Sequence, residues 1–120
     1  RLPTAEEWEK AAKGANTRSE LPAGPWDPEK QAKSYNGNGQ HEFRDDYSYL
    51  APVRALPEGA SPYGCLHMSG NVWEWIAEPG KCRGGSWHSP LAQLNLNCRD
   101  EQTLPGPKLR DRQHGFRCAR

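Results

Sequence analysis

One stretch near the N-terminus carries a helical period. In "LPTAEEWEKAAKG" (2–14), Ala5, Trp8, Ala11 and Ala12 fall on one face of a helix. Thr4 supplies an N-cap, and Glu7 three residues later completes a capping box. Acids lead and lysines trail, which suits the helix dipole, and Gly14 supplies the stop. Beyond that point the period is lost. Residues 15–50 read as loop: "LPAGPWDP" (21–28) is broken by prolines and a glycine, and "YNGNGQHEFRDDYSY" (35–49) is rich in turn formers. Residues 51–70 hold one short strand-like piece among turns. "NVWEWI" (71–76) alternates cleanly and predicts a strand, with Trp73 and Trp75 on one face and Val72, Glu74 and Ile76 on the other. Short strands are also expected at 82–87, 95–101 and 114–120, with a loop between 101 and 114.

Composition agrees with a loop-rich domain. The chain has 120 residues, which fits a single domain, and only 34% are hydrophobic. Twelve Gly and 11 Pro are too many breakers for a helical bundle, while five Trp argue against disorder. A net charge of +1 gives no electrostatic case for nucleic acid or a membrane surface. No run is long and apolar enough for a bilayer, so membrane insertion is not expected. Cys65, Cys82, Cys98 and Cys118 allow disulfides or free thiols, and none belongs to a C-x-x-C pair of the kind zinc sites use.

Two features suggest chemistry. Glu74 is a carboxylate between two apolar neighbours, so if its face is buried it needs a cation or several donors. Arg83, Arg99 and Arg117 are candidate partners. Ser86 and His88 share a strand face at i, i+2, a spacing open to a nucleophile and base, although such pairs are common on ordinary surfaces.

Four segments in order, "RLPTAEEWEKAAKG", "PVRALPEGASPYGCLHMSGNVWEW", "RGGSW" and "GFRCAR", resemble the formylglycine-generating enzyme or sulfatase-modifying factor family. The match corresponds to the C-terminal half or so of that family's domain, which makes 1–120 one domain and a candidate part of a longer chain. The resemblance implies an α+β fold of the C-type lectin-like kind, loop-rich, with short strands and few helices. Family members that make formylglycine use copper held by two cysteines, at the second and seventh positions after the aromatic of the Gly-Gly-Ser-Trp strand. Paired thiolates suit Cu(I). Ser89 and Leu94 stand at those positions, so no copper and no catalytic residue is expected. A second enzyme branch, the sulfoxide synthases of thiol-histidine biosynthesis, takes its iron from histidines in a separate N-terminal domain. The Glu-Pro-Asn loop of calcium-dependent lectins is reduced to "EPG" (78–80).

The family also places structural calcium at two sites. By resemblance these map to Gly70, Val72 and Glu74, with His67 at a position that usually bears an oxygen donor, and to Asn36 and Asp45. Calcium prefers oxygen ligands, so His67 departs from that pattern. In layout the C-terminal half is similar to the variable proteins of diversity-generating retroelements, which are non-catalytic binding scaffolds. That likeness implies a protein or cell-surface ligand and a cell-surface, secreted or phage-particle setting. It places the binding face on 87–96, 100–104 and 109–113, through Trp87, His88, Ser89, Leu91, Gln93, Leu94, Asn95, Leu96, Asp100, Gln102, Arg110 and Arg112. The alternative is a copper-dependent formylglycine-generating oxidase or an accessory factor of sulfatase modification.

Overall fold

Helix α1 (Ala5–Lys13) forms where the apolar period places it. The Thr4 hydroxyl accepts the Glu7 N–H, and the Glu7 carboxylate accepts the Thr4 N–H at 2.9 Å. Arg1 clasps the same carboxylate from outside. Gly14 ends the helix at φ 65°, and its N–H donates to the Lys10 carbonyl. This computed structural model describes residues 1–22, 47, 49–98 and 112–120.

Three short strands form one sheet in the order β2-β1-β3: β1 (Trp73–Trp75) is central, β2 (Cys82–Arg83) runs antiparallel to it, and β3 (His114–Phe116) runs parallel. Glu74 is therefore flanked by Arg83 on one side and Gly115 on the other. The strands are shorter than the alternation predicts, and the backbone explains why. Asn71 sits at φ 67°, which starts β1 late, and Gly84 and Gly85 sit at φ 96° and 76°, which stops β2 early. The strand expected at 95–101 is absent over its described part. Instead Pro90 leads into a four-residue helix, α2 (Leu91–Leu94), and the chain then turns, with the Cys98 N–H on the Asn95 carbonyl. Leu94 and Leu96 alternate as strand residues would, but they are buried from a helix end and a turn.

The core follows from these placements. Trp8, Ala12, Met68, Ile76 and Leu96 pack together, so α1 covers the sheet face that carries Glu74 and Ile76. Full burial of an aliphatic side chain of this kind contributes about 1.5–3 kcal/mol. Both glycines of "RGGSW" are required by close approach as well as by φ. A Cβ on Gly84 would meet the Trp8 ring at 3.1 Å and the Met68 carbonyl at 3.2 Å. One on Gly85 would meet Leu94 Cδ2 at 2.9 Å. At the far side of the core, Lys13 is buried with its ammonium on Glu9, the Thr17 carbonyl and Asn97. The Leu96 N–H donates to the Glu20 carbonyl. These bonds anchor the segment after α2 to the end of α1. All four cysteines are free thiols. The architecture is a loop-rich α+β domain, and no described helix is long and apolar enough to cross a membrane.

Candidate functional site

The turn after β2 is built around one buried hydroxyl. Ser86 is fully buried, its N–H donates to Ser89 Oγ at 2.9 Å, and its own Oγ donates to Gln113 Oε1 at 3.0 Å. The same oxygen accepts the His88 N–H, and the Ser89 N–H returns to the Ser86 carbonyl. Ser86 thus organises a tight turn, and its hydroxyl is engaged by Gln113 and Ser89 in place of the imidazole that a nucleophile–base pair needs. The turn thrusts Trp87 and His88 outward. Trp87 is half-buried and stacks edge-on with Tyr49 at 5.1 Å and 76°, while the exposed His88 ring lies 5.2 Å from it. The Trp87 indole N–H donates to the Arg112 carbonyl.

Asn71 holds this aromatic group in place. Its carbonyl accepts the Trp87 N–H, and its side-chain amide pairs with both the N–H and the carbonyl of Ala51, two residues after Tyr49. Neither Tyr49 nor Asn71 is among the site residues that the sequence predicts. A signal for Asn71 was present: an asparagine directly after a glycine, next to a strand, suits the left-handed backbone it adopts. Tyr49 had no local signal, because only the fold brings it to Trp87.

The surface expected from sequence is only partly assembled. His88 and Arg112 are exposed, and Trp87, Gln93 and Asn95 are half-buried around the turn. Ser89, Leu94 and Leu96 are inside instead, at 3%, 2% and 2% exposure. Ser89 closes the Ser86 turn, Leu94 packs on Gly85 while its carbonyl accepts the Ser69 hydroxyl, and Leu96 belongs to the Trp8 core. None of the three can contact a ligand without opening the fold. Leu91 opens α2, and its side chain lies outside the description; Asp100, Gln102 and Arg110 lie outside the described residues.

Among the described residues Glu74 is the buried acid, at 5% exposure. Oε2 accepts the Trp8 indole N–H and the Arg117 Nε–H, both at 2.6 Å, and Oε1 accepts Arg117 Nη2 at 2.6 Å. Arg117 Nη2 also donates to the Leu66 carbonyl at 2.9 Å. Burial works against the charge on Arg117, but its hydrogen bonds to Glu74 and the field of that carboxylate hold its pKa above the usual value. Of the candidate arginines, Arg117 pairs with Glu74 and Arg83 turns to the Cys98 carbonyl, while Arg99 lies outside the described residues.

The positions matched to calcium fit poorly. Gly70 gives its carbonyl to the Val72 N–H and its N–H to the Gly84 carbonyl. Glu74 is filled as described. His67 is buried at φ 56° with Nε2 against the Pro52 carbonyl, and its Nδ1 has no hydrogen-bond partner among the described residues. Burial pushes the His67 pKa down, which favours a neutral imidazole. The side-chain donor set here is one engaged carboxylate and one nitrogen, where calcium wants six or more oxygens. Among the described residues no group of three or more His, Cys, Asp or Glu could hold a metal ion. Asn36 and Asp45 lie outside the described residues.

Comparison with known proteins extends over the whole chain. The pattern of the sulfatase-modifying factor enzyme 1-like domain matches residues 1–120. The chain is 39% identical to hercynine oxygenase of Mycobacterium tuberculosis over 66% of this chain and 17% of that protein. It is 34% identical to inactive C-alpha-formylglycine-generating enzyme 2 of Mus musculus, over 99% of this chain and 42% of that one. To the formylglycine-generating enzyme of Thermomonospora curvata it is 36% identical, over 79% of this chain and 32% of the enzyme. The chain thus spans less than half the length of each of these relatives. With the Gly-Gly-Ser-Trp turn, the Trp-Glu-Trp strand and the closing Gly-Phe-Arg segment in one connected structure, this chain belongs to the formylglycine-generating enzyme or sulfatase-modifying factor family.

Proposed function

We propose that this chain is a non-catalytic, ligand-binding module of its family, built on the C-type lectin-like variant of an α+β fold. The observation that carries this reading is the state of Ser89 and Leu94. They occupy the two positions that copper-dependent members give to thiols, and both are buried in structural roles. A hydroxyl and an isobutyl group supply no soft ligand. What the same turn does present is an aromatic surface of Tyr49, Trp87 and His88 beside Arg112, a composition enriched in recognition surfaces. A protein or cell-surface target suits it. Ser89, Leu94 and Leu96 take no part in that surface, because they are buried.

The test is an oxidation assay with the longest available form of the protein, using copper, oxygen and a Cys-x-Pro-x-Arg peptide, read by aldehyde-specific labelling. The expected result is no aldehyde above the level seen without protein. Copper-dependent aldehyde formation would overturn the reading. A second reading is favoured by the similarity to hercynine oxygenases: the chain would be the C-terminal part of an iron oxygenase whose metal ligands lie elsewhere. Iron bound stoichiometrically by the longer protein, and absent from 1–120 alone, would favour it.

A further inference from the structure

We propose that Arg117 is the resident cation of the Glu74 site, and that the residues around Glu74 suit a planar cation and do not fit calcium. The inference is independent of the binding reading above. It rests on how the carboxylate's surroundings are shaped. Glu74 sits at the centre of the sheet, beneath α1, where water is excluded. Its two oxygens take the Arg117 fork in the bidentate geometry that matches a guanidinium to a carboxylate. The Leu66 carbonyl takes a further N–H of the same group, and the Trp8 indole adds a fourth hydrogen bond to the cluster from the opposite element. These contacts lie in forks suited to a flat donor and not around a sphere.

Calcium would have to compete with that arrangement on three counts. It needs six to eight oxygens at about 2.3–2.6 Å, while both Glu74 oxygens and the Leu66 carbonyl are already accepting hydrogen bonds. It would sit against the guanidinium of Arg117, the residue after β3, which Glu74 and the Leu66 carbonyl hold in place. His67, at the position that usually bears an oxygen donor, offers a nitrogen in a place where calcium needs oxygen. Removing the Arg117 side chain should therefore leave a buried carboxylate and a free carbonyl shaped for a small guanidinium ion.

Two measurements decide the matter. In the wild-type protein, the Trp8 Nε1–H and Arg117 Nε–H resonances report directly on Glu74 and need no substitution. Titration with calcium to millimolar concentration should leave both in place, whatever calcium does elsewhere in the chain. A saturable shift of either would overturn the proposal. In Arg117→Ala, ethylguanidinium at low millimolar concentration should raise the melting temperature by several degrees, against no rise in wild type and with sodium chloride as the ionic-strength control. Calcium at the same concentration should raise it less. Equal or greater stabilisation of the variant by calcium would also overturn the proposal. If Arg117→Ala does not fold, the wild-type titration still decides it.

Discussion

Among the described residues, a single buried histidine carries a pH signature. His67 is buried beside the Glu74–Arg117 pair, and both its burial and the charge of Arg117 push its pKa below the ordinary value of 6.5. The native state therefore binds its proton less readily than the unfolded chain does. Stability is fully present above about pH 6.5 and is lost as the pH falls toward the folded value. We expect urea midpoints to decline between pH 7 and pH 5, and His67→Asn, which tolerates the positive φ, to flatten that slope. A wild-type slope unchanged by the substitution would assign the decline to other groups. The need for a partner at Glu74 was legible in its place between Val72 and Ile76. Which arginine answers it was not, because Arg117 is 43 residues away and reaches Glu74 only through the parallel pairing of β1 and β3. Sequence could name the unsatisfied charge but not the geometry that satisfies it.

Legibility at the element scale depended on how local the determinants are. Helix α1 was readable because its period, cap and stop all lie within fourteen residues. The strands were readable as places but not as lengths, since the left-handed residues Asn71, Gly84 and Gly85 cut them short. The strand expected at 95–101 gives way, over its described part, to a turn after the short helix that Pro90 caps, and burial against Gly85 and Trp8 makes Leu94 and Leu96 alternate without a strand. The cap of α1 gives the testable case. Thr4→Ala removes the hydroxyl that accepts the Glu7 N–H and should cost about 1 kcal/mol in chemical denaturation. Glu7 adds a dependence on acid. Its hydrogen bonds with Arg1, then with the Thr4 backbone, lower its pKa from 4.5 to about 2. Its contribution is present above pH 4.5 and fades as the pH falls toward 2. The penalty of Thr4→Ala, measured at pH 7 and again near pH 2, should therefore shrink as the reciprocal partner in the capping box protonates. An equal penalty at both values would mean that the two halves of the box act separately.

For the molecule as a whole, the question is whether framework and recognition surface are separable along one short segment. Residues 87–96 serve both. Trp87 and His88 face outward beside Tyr49, whereas Ser89, Leu94 and Leu96 support the core from the same stretch of chain. If the division is real, substitutions a few residues apart should fall into different classes. Leu96→Ala opens a cavity under Trp8 and Met68, and such truncations cost about 2–5 kcal/mol. His88→Ala removes an exposed ring whose structural tie is its backbone N–H on Ser86, which any residue can make, so its effect on stability should stay within about 0.5 kcal/mol. Urea unfolding of both variants under one condition checks the contrast. A large loss in His88→Ala would show that the aromatic group of Tyr49, Trp87 and His88 braces the fold. The surface would then be part of the framework, and the binding reading would lose the face on which it depends.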